Sequence, residues 1–256
     1  MLFRSFTGDE NQLKENRVAL LCCIYDDDMV EYCAHYAANL PSWADIFVVT
    51  ASKTIKETVR KRFSQLPNRL EVRLKANRGQ LASAVLIAGK DIFEKYDVVC
   101  VTQAQKTSSL QENAVQKAFC DHYWQSVLQS SPYVLNVLQA FQVHPRLGYA
   151  CAIPPHWGTF SQLCGKELTD NKQFMQRVLH ELYHISVPFD EEPVASYGGG
   201  YLGCGKGDKT LFFRAWKDEE ISPGFSPKNG TVFSPPARFK PFFLEYYGFF
   251  STGVVA

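Results

Sequence analysis

Along the first hundred residues, continuous apolar runs alternate with stretches of helical periodicity. Continuous apolar runs are typical of strands that are buried on both faces, and the amphipathic stretches between them are typical of crossover helices. The predicted strands are residues 17–25, 44–50, 70–75 and 97–102, and the predicted helices are 29–40, 53–63 and 80–96. This order predicts an α/β fold with a Rossmann-type, mostly parallel sheet that is flanked by helices.

Beyond residue 106 the alternation is less regular. A helix pair is predicted over residues 114–143, with a break at Ser130-Ser131-Pro132, and a fifth strand over 147–153. The remaining predicted segments are a helical region with loops at 156–189, a glycine-rich acidic segment at 190–207, a strand-like run at 209–216 and an aromatic tail at 238–250. We expect the tail to pack back onto the body, so that residues 1–256 form a single domain.

The amino-acid composition excludes several classes of protein. Of the 256 residues, 46% are hydrophobic and 21% are charged, which is ordinary for a globular protein and excludes disorder as the main state. The net charge of +1 does not favour a nucleic acid partner. No apolar run approaches the roughly 20 residues that a membrane-spanning helix needs, and the amino terminus has no apolar core of signal-peptide length. We therefore expect an intracellular protein.

The eight cysteines do not form a recognisable framework. Cys22, Cys23, Cys100 and Cys151 lie inside predicted strands, where a thiol behaves as a small buried hydrophobic group. No C-x-x-C pair occurs, so the spacing favours reduced thiols over disulfides or a structural zinc site.

Ligands of such sheets bind outside the carboxyl ends of the strands. Here those ends are residues 25–28, 50–52, 76–79 and 102–106. Asn77, Arg78 and Gly79 follow the third strand and precede a helix, where backbone N–H groups and an arginine favour an anion such as a diphosphate. A plain β–α turn with a solvated arginine is the alternative.

Two groups of carboxylates are candidates for chemistry. Asp26, Asp27 and Asp28 follow the first strand and could hold a divalent metal, although a helix cap is the favoured interpretation. Asp190-Glu191-Glu192 precedes a glycine-rich segment, and one of these carboxylates could act as a general base, or all could lie in a solvated acidic loop. The glycine-rich segment permits a close ligand approach or movement, but it lacks the order of a P-loop.

One short motif points to a different function. His180 and His184 flank Glu181 in the order HELYH, which satisfies the zinc-hydrolase pattern H-E-x-x-H. No third ligand follows at the usual spacing, and Val187-Pro188 ends the helix. A zinc hydrolase is therefore kept as an alternative and is not the favoured function.

Five segments together resemble a known family. They are LEVRLKANRG (70–79), DIFEKYDVVCVTQAQKTS (91–108), HPRLGYACAIPPH (144–156), KTLFFRAWKDEEI (209–221) and PFFLEYYGFFSTGVV (241–255). The chain resembles, over roughly residues 16–256, the rhamnan-synthesis F family of bacterial glycosyltransferases. The resemblance implies a GT-A-like fold, a nucleoside-diphosphate sugar donor, and transfer of a sugar, typically rhamnose, onto a cell-surface polysaccharide or lipid-linked glycan acceptor.

The resemblance also suggests which residues carry each role. Residues 16–110 would form the nucleotide-sugar-binding half, and residues 111–256 the acceptor half with the aromatic tail. Asp190 and Glu192 are the candidates for the catalytic base. The candidates for substrate binding are Tyr25, Asn77, Arg78, Gly79, Gln103, Lys106 and His156. We expect a cytoplasmic protein that associates at most peripherally with the inner face of the membrane.

Two departures from the family's pattern leave alternatives open. Gln80-Leu81 stands where the family usually has Arg-Asp, and no Asp-x-Asp follows the fourth strand. Whether a divalent metal (Mg²⁺ or Mn²⁺) takes part is therefore open, and no metal ligand is assigned. A catalytically inactive relative that binds a sugar nucleotide or a glycan is the main alternative to an active transferase.

Overall fold

The computed structural model describes residues 5–77, 80–104, 114–152, 180, 184, 186, 200–205, 216–217 and 250–254. Seven strands form one sheet in the order β3-β2-β1-β4-β6-β5-β7. The strands are β1 (Val18–Cys23), β2 (Asp45–Thr50), β3 (Leu70–Leu74), β4 (Val98–Gln103), β5 (Leu147–Ala152), β6 (Tyr201–Cys204) and β7 (Phe250–Val254). β1 to β4 are parallel neighbours, β6 runs antiparallel to both β4 and β5, and β7 is parallel to β5. The predicted mostly parallel α/β sheet is confirmed.

Helices connect and cover the strands. The α-helices are α1 (Glu10–Leu13), α2 (Val30–Ala37), α3 (Lys53–Phe63), α4 (Gln80–Ser83), α5 (Lys90–Lys95), α6 (Ala114–Leu128) and α7 (Ser131–Val143). A 3₁₀ turn (Asp27–Met29) precedes α2, and a π-helical turn (Ala84–Ala88) joins α4 to the segment before α5. Within the described ranges, no helix is both long enough and apolar enough to cross a membrane.

Local sequence explains where the longer helices begin. Ser52 caps α3 by accepting a hydrogen bond from the backbone N–H of Ile55 at 3.3 Å, and Ser130 caps α7 through the N–H of Tyr133 at 3.4 Å. α3 buries Ile55, Val59 and Phe63, which recur every four residues on one face. The predictions of α3, and of a helix pair broken near Ser130, are confirmed.

The core has one layer on each face of the sheet. Alternate residues of β1, including Leu20 and Cys22, point to a layer that α2, α3, α6 and α7 cover around Trp124. The residues between them, Ala19, Leu21 and Cys23, point to the opposite layer with Leu81 to Leu86 and Phe93. The strands that both layers cover are therefore apolar on both sides, as the sequence predicts. All four cysteines predicted to be buried are 0–1% exposed.

Three features of the fold differ from the sequence-based predictions. The single helix predicted over 80–96 is divided into α4, the π turn and α5, and Gly89 lies at the break, where an added Cβ would come within 2.7 Å of the Leu21 side chain. This close approach of the helical segment to β1 explains why a residue without a side chain stands there.

The other two differences are β6 and β7, which the hydrophobic pattern does not predict as strands. β6 is four residues long and lies in the glycine-rich segment, and β7 begins at Phe250, the last residue of the aromatic tail. Residues 153–179, the run at 209–215 and the tail at 238–249 lie outside the described residues.

Candidate functional site

The carboxyl ends of the parallel strands meet at one edge of the sheet. β1 is followed there by Tyr25, β3 by Asn77, and β4 ends at Gln103. Because β6 is antiparallel to β4, with Tyr201 opposite Val101, the amino end of β6 lies at the same edge. The structure therefore places three of the predicted binding residues at the carboxyl ends of the strands, the edge at which the sequence predicts a ligand.

The predicted residues at this edge are spread out. β2 and β1 lie between β3 and β4, so at about 4.8 Å per strand the ends of β3 and β4 are about 14 Å apart. Asn77 is exposed and Gln103 is 7% exposed. Asn77 and Gln103 would therefore contact different parts of an extended ligand, and no single small group touches both.

Tyr25 supplies a neutral hydroxyl group to this edge. It is half-buried and packs against the core layer that contains Cys23 and Leu81. Burial raises the pKa of the Tyr25 phenol well above its ordinary value. The hydroxyl group is therefore protonated at neutral pH and can donate a hydrogen bond.

The end of β4 is held by a residue that sequence reasoning missed. The backbone N–H of Gln103 donates to Oη of Tyr123, at 3.1 Å, and Tyr123 is a buried residue of α6. The ring of Tyr123 also contacts Gly200, because a Cβ built on Gly200 would overlap the phenol. Burial raises the pKa of Tyr123 well above its ordinary value, so its hydroxyl group is also neutral. The sequence predicts that the glycine-rich segment permits a close ligand approach or movement, whereas at Gly200 the structure shows the close approach of a tyrosine, which nothing in the sequence identifies.

The three aspartates after β1 lie at a helix start. Asp26 has an extended backbone and occupies the position before the 3₁₀ turn, without a capping hydrogen bond from its side chain. Asp27 and Asp28 lie in the first turn, where negative charge interacts favourably with the helix dipole. The helix-start interpretation is thus supported by position and charge, and not by a side-chain cap.

A metal centre finds no support in this arrangement. Across the described part of the chain, no three His, Cys, Asp or Glu side chains group closely enough to hold a metal ion. Asp26, Asp27 and Asp28 follow β1 at the carboxyl edge, and adjacent residues diverge in direction. These residues do not fit a metal–diphosphate clamp.

The zinc-hydrolase alternative requires both histidines on one helical face. His180 is helical, but His184 has φ 54°, in the left-handed region, and its N–H donates to the carbonyl of His180 at 3.1 Å. That geometry is typical of the residue that ends a helix. Among the described residues, no third His, Cys, Asp or Glu side chain lies close enough to complete a zinc site with these two histidines.

The other predicted site residues are not placed by the structure. Arg78, Gly79, Lys106, His156, Asp190 and Glu192 lie outside the described residues. α4 begins at Gln80, the residue at which the sequence predicts a helix to start. The assigned roles of these six residues stay predictions.

Comparison with known proteins identifies the family to which this chain belongs. A family model described as rhamnan synthesis protein F matches residues 4–234. This chain belongs to the rhamnan synthesis protein F family. The predicted family is confirmed, and four of the five segments that carry the resemblance lie within the matched range, while the segment 241–255 lies beyond it.

Solved structures with a related shape are more distant. They include TarS 1–349 of S. aureus, at 10% identity and a TM-score of 0.41, covering 88% of this chain and 54% of that one. Glucosyl-3-phosphoglycerate synthase of Mycobacterium tuberculosis, in complex with Mn²⁺, UDP-glucose and phosphoglyceric acid, has 10% identity and a TM-score of 0.36, covering 78% of this chain and 62% of that one. Likeness at this level establishes no shared site or substrate.

This rhamnan synthesis F family member therefore spans little more than half of the length of the solved chains that it matches, 54% and 62% for the two above. No curated protein matches it significantly.

Proposed function

We propose that this chain is a glycosyltransferase that moves a sugar from a nucleoside-diphosphate donor to a hydroxyl group of a glycan acceptor. The observation that carries the proposal is the family match over residues 4–234. In its finer form, the proposal is that the sugar is rhamnose and that the acceptor is a cell-surface polysaccharide or its lipid-linked precursor. Residues 16–110 would bind the donor and residues 111–256 the acceptor.

The carboxyl edge of the sheet supports the proposed donor site. Tyr25, Asn77 and Gln103 lie there on three different strand ends, and this spread suits a long ligand such as a sugar nucleotide. We assign the diphosphate to Asn77, Arg78 and Gly79 together with Lys106. Two cations and the backbone N–H groups of the bend would stabilise the negative charge that develops on the departing diphosphate. His156 is assigned to the substrate by its position in the family segment 144–156.

The transfer step needs a base as well as charge stabilisation. The acceptor oxygen would form a bond to the anomeric carbon of the sugar, while the bond from that carbon to the diphosphate oxygen breaks. The acceptor proton would pass to a carboxylate, Asp190 or Glu192, and the nucleoside diphosphate would leave. Because the described residues do not fit a metal clamp, none of these steps is assigned to a metal ion.

The proposal is tested by isothermal titration calorimetry with thymidine-diphosphate rhamnose and uridine-diphosphate sugars. Replacing a charged hydrogen-bond donor costs about 1.5–3 kcal/mol, so Arg78→Ala should raise the Kd of the donor by about 10- to 100-fold. Arg60→Ala is the matched control, since Arg60 lies on α3 with a side chain that is 54% exposed and pairs with Glu57. If neither class of donor binds the wild type at millimolar concentration, the proposed function is wrong.

The inactive relative remains the second candidate, and the substitution of Gln80-Leu81 for the family's Arg-Asp favours it. Release of nucleoside diphosphate, in the presence of an acceptor glycan, separates the two. An active transferase releases it, and Asp190→Asn or Glu192→Gln should lower the rate at least about 100-fold for whichever residue is the base. A donor that binds without any release identifies a binding protein. Repeating the assay with a chelator shows whether a metal is needed.

A further inference from the structure

We infer that Tyr123 is a positioning residue that holds the donor side and the acceptor side of the site in fixed relation. This inference rests on the proposed function. Tyr123 belongs to α6, far along the chain from the strand ends, yet it contacts the end of β4 and the residue before β6. These two strands are antiparallel neighbours, and each leads at this edge into a segment with predicted site residues.

The first contact fixes the donor side. Oη of Tyr123 accepts the backbone N–H of Gln103 at 3.1 Å. Gln103 is the last residue of β4, and Lys106, the proposed diphosphate cation, follows three residues later. Because the chain between them is so short, the position of Gln103 limits where Lys106 can lie.

The second contact holds the residue before β6. Gly200 lies directly before β6, and a Cβ at this position would overlap Cε2, Cζ and Oη of Tyr123. The backbone of Gly200 therefore packs on the phenol as closely as only a glycine can. The segment that leads into Gly200 contains Asp190 and Glu192, the proposed bases.

The core makes Tyr123 a rigid support. The side chain is 3% exposed, and its ring meets Trp124 edge-to-face, with ring centroids 5.8 Å apart. Trp124 in turn stacks on Tyr36 of α2, with centroids 5.5 Å apart. A buried aromatic group in such packing has little freedom to move. One tyrosine side chain thus holds the end of β4 and the residue before β6 relative to each other, and small errors in such a distance at a site are costly for the rate.

The test is Tyr123→Phe, which removes Oη and keeps the ring. We expect kcat to fall about tenfold, while the donor Kd measured by calorimetry rises less, by about threefold, because Gln103 is displaced but no group that binds substrate is lost. Tyr133→Phe is the matched control: Tyr133 is also fully buried, and its hydroxyl group donates to the carbonyl of Ser126 in the body of the helical layer. It should lose stability without losing kcat.

A second variant changes Gly200, the residue that packs against the ring of Tyr123. Gly200→Ala must displace the phenol or β6, so it should lower kcat in the same way as Tyr123→Phe. The inference is overturned if Tyr123→Phe keeps the wild-type kcat, or if both tyrosine variants lose kcat in proportion to their loss of stability. Failure of the wild type to bind any sugar nucleotide would instead refute the proposed function, and this inference with it.

Discussion

The sheet consists of two regions that are built in different ways. In the parallel region, β1 to β4, every strand is joined to the next by a helical crossover, and all four strands come from residues 18–103. In the mixed region, β5 to β7, the three strands are 4–6 residues long and lie far apart in the chain, at 147–152, 201–204 and 250–254. β6 runs antiparallel to both of its neighbours.

This difference shows where the fold depends on local sequence and where it depends on distant contacts. The parallel region assembles from crossovers that the chain completes within about thirty residues each. The mixed region exists only because β6 inserts between β4 and β5, with Val98 opposite Cys204 and Tyr149 opposite Gly203. The junction between β4 and β6 also borders the proposed active site, so the two regions must be joined correctly for function.

We expect the largest loss of stability from a substitution at the junction between β4 and β6. Gly205 follows β6, its N–H donates to the carbonyl of Asp97 at 2.9 Å, and a Cβ would overlap the carbonyl oxygen of Tyr96. Gly205→Ala should therefore destabilise the protein by about 3 kcal/mol, since backbone must move to relieve the overlap. Urea denaturation measures the loss. Hydrogen exchange should show β5 and β6 losing protection before β1 and β2.

Gly8→Ala is the control for this prediction. A Cβ there would meet the ends of two side chains, Nε2 of Gln139 at 2.6 Å and Cζ of Phe6 at 2.8 Å, and both can rotate away. Gly8→Ala should therefore lower the free energy of unfolding by less than about 1 kcal/mol. Equal losses from Gly8→Ala and Gly205→Ala would contradict the role given to the junction.

We expect an intermediate loss of stability when either of two helix caps is removed, one beside each region of the sheet. Ser52 caps α3, which packs on β2 and β3, and Ser130 caps α7, which packs on β5. Removing a capping hydroxyl group costs about 1 kcal/mol, so Ser52→Ala and Ser130→Ala should each lower the free energy of unfolding by that amount. Ser64→Ala, at the exposed end of α3, should change it by less than about 0.5 kcal/mol.

The two caps also test how far the regions are independent. If the sheet unfolds as one unit, both variants shift the urea midpoint of every probe equally. A shift in the near-ultraviolet signal of Trp124 with Ser130→Ala alone would show that the regions unfold separately.

The smallest effect is expected at an ion pair inside the parallel region. Arg73 of β3 binds Asp91 of α5 through two contacts, Nη1–Oδ1 at 2.6 Å and Nη2–Oδ2 at 3.0 Å. The hydrogen bond from Arg73 is the largest cause that lowers the pKa of Asp91 below its ordinary value. Asp91 is partly exposed and Arg73 also pairs with Glu71, so Asp91→Asn should cost only about 0.5–1 kcal/mol at pH 7.

The pH dependence of this pair has a definite sign. Because the folded-state pKa of Asp91 is lowered, its contribution is complete above the unfolded value of about 3.9 and is lost as the pH falls through the folded value. The difference in unfolding free energy between wild type and Asp91→Asn should therefore shrink below about pH 4. Glu57→Gln, which removes an exposed partner of Arg60, should show no measurable difference at any pH. A constant difference for Asp91→Asn across the acid range would refute the assignment.

The parallel region could be predicted from sequence because its signals are local. Strands β1 to β4 lie within one or two residues of the predicted apolar runs, and α3 has the predicted bounds. The mixed region could not be predicted in the same way. β6 contains Gly203 and is flanked by Gly200 and Gly205, residues that sequence patterns associate with loops, and only the pairing with β4 and β5 makes it a strand.

The same distinction applies to the candidate site, because some of its residues could be predicted from the sequence and others could not. Tyr25, Asn77 and Gln103 could be located at one edge because strand ends can be read from the apolar runs and parallel strands share an edge. Tyr123 could not be found, since it lies within a helix and its contacts with Gln103 and Gly200 join segments 20 and 77 residues away.

By itself, the sequence determined the alternation of strands and helices in the first hundred residues, the edge of the sheet that Tyr25, Asn77 and Gln103 share, and the family. Each of these depends on hydrophobic periodicity, on helix and turn signals, or on residue order, all of which act over short distances along the chain. The tertiary structure alone decided that β6 enters between β4 and β5, and that a buried tyrosine contacts the end of β4 and the residue before β6. These features depend on which distant surfaces fit together, and packing complementarity is a property of the folded arrangement that no local pattern encodes.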